Sequence, residues 1–173
     1  MKDLTLLVPQ FRVKVERLLE LCQQDGHDLV PFFTLRTVEE QAKLWRQSRT
    51  TLEIKKAINK LEREGAPFLA NTLENVGPRY GRWATNALPG QSWHQHGEAV
   101  DCFVRAGNGR AVWSAQHPGY ECYANHAKEQ GLVAGYFWVR RDAVHVQFRE
   151  SSVREAYTWP ELDKMMKEKF GEG

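Results

Sequence analysis

Two short segments limit what this chain can fold into. The first runs Ser92-Trp-His-Gln-His-Gly-Glu-Ala-Val-Asp101, and the second, further along, is Asp142-Ala-Val-His145. Each holds histidine and carboxylate beside β-branched and aromatic residues that suit a strand. Neutral imidazole nitrogen and carboxylate oxygen are what a zinc ion takes, and a catalytic zinc keeps an open position beside three protein ligands. A fold that uses them must bring the two strands together. On a strand, side chains alternate, so Ala99, Asp101 and Phe103 share one face and Val100, Cys102 and Val104 the other. In Ala143-Val-His-Val-Gln-Phe148, likewise read as a strand, His145 shares a face with Ala143 and Gln147.

Gly97 can take positive φ. A turn there places His94 near Asp101 without any helix. His94, Asp101 and His145 are then a candidate ligand set, with Asp142 left over as a base. On residue types alone His96 competes with His94 as a ligand and Glu98 with Asp142 as a base, although a regular strand points Glu98 away from Asp101. Two histidines and one carboxylate also make the facial triad of non-haem iron oxygenases, so a second enzyme class stays open at this level.

The segment Ser92-x-His94-x-x-Gly97-x-Ala99-x-Asp101 resembles the signature of a zinc peptidase family that includes D-Ala-D-Ala carboxypeptidases and dipeptidases, and the L-alanyl-D-glutamate endopeptidases found as phage endolysins. Asp142 and His145 match its second signature, an acidic residue three positions before a histidine. Phe33-Thr-Leu-Arg36-Thr-Val-Glu-Glu-Gln41-Ala-Lys-Leu44 is similar to a third, upstream segment. The resemblance implies Zn2+ held by His94, Asp101 and His145, with Asp142 as general base and then acid. It implies that Arg36 faces the scissile carbonyl, and that Ser92, Gln41 and Trp138 meet the substrate. Trp138 closes the stretch Gly131–Trp138, which occupies the place of the family's glycine-rich segment. Leu35 replaces the family's tyrosine, Thr34 its glycine, and Ala134-Gly135 its glycine pair.

The implied fold is α+β, with helices packed around a small antiparallel sheet that carries the zinc, as in DD-peptidase and hedgehog-like domains. The implied function is hydrolysis of a peptide bond in the peptidoglycan stem, with the L-alanyl-D-glutamate bond preferred over D-Ala-D-Ala. From another class, the rival is a non-catalytic, zinc-stabilised wall-binding domain.

The 173 residues suit a single peptidase domain, 1–173, with a real core. Hydrophobic residues make up 42% and charged ones 27%, and the formal charge of +2 is too small to argue for nucleic acid. A monomer acting on the stem peptide, without membrane insertion, is the expectation. Cys22, Cys102 and Cys122 have no zinc-type spacing, and an odd count argues against a disulfide framework. The N-terminus lacks the pattern of a secretory signal. The expected place of synthesis is therefore the cytoplasm, with action on the wall after release, as for a phage or prophage lysin.

Helical spacing predicts a helix over 9–24, ended by Asp25-Gly26. Leu29–Leu35 reads as a strand that Pro31 places at an edge or start. Thr37 and Glu40 form a predicted capping box for the following helix. Further helices are expected over 52–64 and 118–130, and one or two over 153–170 with a break near Trp159-Pro160. Residues 66–91 are expected to form a long loop, and His27, His117 and His126 to lie at the surface.

Overall fold

Residues 3–171 are described in the computed structural model of the protein, and they fall into two compact units. One holds the chain up to Leu35 together with His96–Glu150. The other holds Arg36–Gln95 and the chain from Ser151 onward.

The first unit is built on an antiparallel sheet. Its strands are β1 (Leu29–Phe33), β2 (Ala99–Arg105), β3 (Ala111–Val112), β4 (Val133–Ala134) and β5 (His145–Gln147). They lie in the order β1-β2-β5-β4, with β3 also paired to β2. The alternation along β2 decides its two faces. Val100, Cys102 and Val104 enter a core that also takes Val15, Leu18 and Cys22 of α1 (Pro9–Gln24), and Tyr120, Tyr123, Ala124 and Ala127 of α6 (Pro118–Glu129). Both sets recur at helical spacing, so each helix presents one apolar stripe to the sheet. Burying each large apolar side chain contributes about 1.5–3 kcal/mol. The opposite face of β2 carries Asp101 and Phe103. Proline has no N–H to give a ladder, and Pro31 lies in β1 at the sheet's edge, where the register slips between Pro31 and Phe33. The unit is α+β, as its sequence implied.

The second unit is helical: α2 (Val38–Arg46), α3 (Thr51–Arg63), α4 (Pro67–Asn75), α7 (Val153–Ala156) and α8 (Trp159–Phe170). Ile54, Leu61, Leu69, Leu73, Leu162 and Met166 are buried in it. The Thr37–Glu40 capping box forms as expected, and the same device recurs with Thr50 and Glu53 before α3 and with Ser152 and Glu155 before α7.

Three local expectations are corrected and a fourth is made more exact. Residues 66–91 are not one loop, because α4 occupies their first part. Pro67 opens α4 at a position where a missing N–H costs nothing, and Leu69, Ala70 and Leu73 give it an apolar face. No side chain of its own caps this helix; Asp163 of α8 accepts the Leu69 N–H at 2.9 Å instead. The expected C-terminal break near Trp159-Pro160 is found at Tyr157-Thr158, and Trp159-Pro160 opens α8. The expected strand over 143–148 is confined to His145–Gln147, preceded by a turn. The residues before β2 include one helical turn, α5 (Trp93–His96), where a plain turn was expected. No helix among the described residues is long and apolar enough to cross a membrane.

Candidate metal centre

β2 and β5 supply two of the candidate ligands by strand pairing. Asp101 and His145 are direct partners in the antiparallel register, so both side chains rise from the same face. Asp101 Oδ1 lies 3.0 Å from His145 Nδ1, and Gln147 Oε1 lies 3.1 Å from the other ring nitrogen. All three residues are buried. The ring of Trp138 packs against His145, with centroids 5.2 Å apart. Burial disfavours the charged form of His145, yet its pKa is raised. The hydrogen bond and charge of Asp101, with the charge of Asp142 and the Gln147 contact, outweigh desolvation.

His94 comes from α5, and it is 2% exposed. Several contacts fix this turn. Gln95 Oε1 accepts the N–H groups of Gly90 at 2.9 Å and Ser92 at 3.2 Å, and Trp93 Nε1 donates to the Ser151 carbonyl at 2.9 Å. Arg36 N–H donates to the His94 carbonyl at 3.2 Å. Gly97 then takes φ +73°, as its place in the sequence led us to expect. A Cβ there would stand 2.8 Å from the Leu6 carbonyl oxygen, so only glycine lets the chain pass.

His94, Asp101 and His145 each offer a ligand atom, and these atoms lie within 4.8 Å of one another. Three buried donors converging in this way fit a divalent transition ion. Gln147 is placed to fix the orientation of the His145 ring, the usual duty of a group behind a metal ligand. His96 is not part of this group.

Asp142 is exposed, and its carbonyl accepts the His145 N–H at 3.2 Å. The segment therefore bends before the strand, and on a straight strand the two side chains would point apart. Gly135 holds the bend by accepting the Asp142 N–H at 2.9 Å. A Cβ on Gly135 would meet the Asp142 carbonyl oxygen at 2.6 Å and Asp142 Cβ at 3.1 Å.

The other singled-out residues fall as follows. Arg36 Nη1 donates to Gln41 Oε1 at 3.0 Å, and buried Gln41 donates to the Ala87 carbonyl at 2.7 Å. Gln41 thus anchors Arg36 to the segment before α5. Ser92 lies at the start of α5, half-buried. Glu98 is buried and paired with Arg149 at 2.5 and 3.0 Å, which commits it to structure. Cys102 faces the core, and burial pushes its thiol up to about 12. Sequence reasoning missed the role of Gln147. Its position two residues after His145, on the same strand face, was the available signal.

The family model for VanY, D-alanyl-D-alanine carboxypeptidase, matches residues 5–150. The chain belongs to the VanY family. As a VanY-family member it is a peptidase, a hydrolytic enzyme of the peptidoglycan-directed kind. Among solved structures, this VanY-family chain is similar to an L-Ala D-Glu endopeptidase, ChiX, from Serratia marcescens. That match has 15% identity, 86% of this chain and 84% of the other covered, and a TM-score of 0.44. It is also similar to an L,D-carboxypeptidase, DacB, from Streptococcus pneumoniae, at 17% identity, with 95% and 73% of the two chains covered and a TM-score of 0.46. No curated protein matches the chain.

Proposed function

We propose that this VanY-family chain is a zinc metallopeptidase that cleaves a bond of the peptidoglycan stem peptide, with residues 1–173 working as one peptidase domain. The observation that carries the reading is the convergence of His94, Asp101 and His145, with Asp142 near enough for its charge to act on His145. The family description favours the D-Ala-D-Ala bond. The second reading is the L-alanyl-D-glutamate bond, and the signature segments are common to both activities.

Zinc, when bound by His94, Asp101 and His145, would polarise the scissile carbonyl and acidify water. The chain's own groups do the rest. Asp142 takes a proton from the attacking water as its oxygen bonds to the carbonyl carbon. The same carboxyl returns that proton to the leaving nitrogen as the C–N bond breaks. Arg36, held by Gln41, offers its cation to the oxygen that gains negative charge. Ser92 and Trp138 are the proposed substrate contacts, with Trp138 stationed over the His145 ring. A solely structural zinc would have no use for Asp142 at this place, which sets the wall-binding alternative behind.

Digestion of purified peptidoglycan, followed by mass spectrometry, tests the reading. Free D-Ala is the expected product, and new N-terminal D-Glu would move the assignment to the endopeptidase. Intact stem peptides after digestion with zinc-loaded protein would overturn both. Metal analysis of the purified protein should find zinc, and iron in its place would overturn the zinc assignment.

A further inference from the structure

A second group of ligand types lies in the first unit, at the end of α1. Asp25 is the C-terminal cap of α1, and Cys122 and His126 are separated by one turn of α6. Residues four apart on a helix share a face, so thiol and imidazole point the same way. One ligand atom from each of Asp25, Cys122 and His126 lies within 4.8 Å of the others. We propose that Asp25, Cys122 and His126 form a second metal site, selective for a zinc-class divalent transition ion.

The orientation of His126 favours this use. Its Nε2 lies 2.8 Å from Asp25 Oδ2, and the Cys122 thiol donates to the same oxygen at 3.6 Å. Its Nδ1 lies 2.9 Å from Glu129 Oε2. Nε2 therefore faces the other two donors, while a carboxylate behind the ring holds Nδ1. That is the carboxylate–histidine–metal arrangement that fixes tautomer and ring angle. Thiolate and imidazole together disfavour magnesium and calcium, which prefer oxygen donors, and favour zinc, cobalt or nickel.

Binding breaks the Cys122 S–H bond and removes the His126 Nε2 proton. Sulfur and nitrogen bond the ion through the freed pairs, both protons leave to solvent, and no electron changes hands. Cys22 is buried and is not among the converging donors. An ion here would tie the end of α1 to the middle of α6, the two helices packed on the core face of the sheet that carries Asp101 and His145. Sequence spacing hid the site, because the ligands come from two helices and show none of the paired-cysteine patterns.

Cobalt titrated into the metal-free full chain tests the proposal, because only a cysteine-bound ion gives a near-ultraviolet thiolate-to-cobalt charge-transfer band. The expected result is two ions per chain and such a band. C122S and H126Q should each remove the band and one ion, with unchanged far-ultraviolet circular dichroism. H145A should remove the other ion and keep the band. E129Q should weaken the band-forming ion about 10- to 100-fold. C122S reloaded with zinc should hydrolyse peptidoglycan as the parent does. A parent protein without the band, or a band that survives in C122S or H126Q, overturns the site.

Discussion

Asp101 and His145 face each other directly across β2 and β5, with a carboxylate oxygen 3.0 Å from a ring nitrogen on one buried sheet face. Strand register sets this distance, so the two proposed ligands would already be positioned for an ion. D101N should keep the strand pairing and lose the ion, because an amide oxygen is a far weaker ligand than a carboxylate. Metal content by atomic emission should fall by one ion per chain, with the circular dichroism spectrum unchanged.

Asp142 acts on His145 through its charge without belonging to the candidate ligand group, so the proposed mechanism gives it chemistry and not binding. D142A should retain the metal and lower kcat by about 10²–10⁴, the usual contribution of a general base. Steady-state kinetics with a stem-peptide substrate, alongside metal analysis, measures both quantities. Activity near the parent's would remove Asp142 from the mechanism.

Gly135 should matter chiefly through Asp142, with the Trp138 ring, 3.2 Å from an added Cβ, as the lesser contact. The methyl group of G135A would collide with the Asp142 carbonyl oxygen 2.6 Å away and displace the turn. A shift of this size at a catalytic group costs on the order of 10²-fold in rate. The expected result is a fall in kcat with metal content preserved; an unchanged kcat would show that the turn tolerates the displacement.

In the helical unit, Asp163 supplies the cap that α4 lacks. D163A leaves the Leu69 N–H buried and unpaired, which should cost about 1–3 kcal/mol. Urea unfolding should show the loss as a lower midpoint. A midpoint equal to the parent's would mean that another group has replaced the carboxylate.

Glu53, Glu155 and Glu161 each have a pKa lowered from 4.5 by the hydroxyl and backbone N–H of Thr50, Ser152 and Thr158. A carboxylate depressed in the folded state contributes stability that is complete above its unfolded value and lost as pH falls through its folded value. The Tm gap between the parent and the triple variant E53Q/E155Q/E161Q should therefore be open at neutral pH and close as pH drops below 4.5. A gap independent of pH would exclude the charged caps as its source.

By itself, the sequence determined the elements that rest on local physics. Helical periodicity with Asp25-Gly26 marked α1, Thr37 and Glu40 marked the start of α2, and the alternation in Ala99–Arg105 separated a core face from an Asp101 face. It also placed His94, Asp101 and His145 in one candidate set, through segments resembling the signatures of a family whose model matches residues 5–150. It did not reveal α4, because Gly, Pro and Asn around a short apolar face read as loop until Asp163 provides the missing cap. Only tertiary structure decided which groups are spent elsewhere: Glu98 is committed to Arg149, and Gln41 to Arg36 and Ala87. Tertiary structure likewise brought Asp25 to Cys122 and His126. The physical reason is range: capping, turning and alternation act over a few residues, whereas pairing a charge or converging on an ion needs partners that only folding brings within reach.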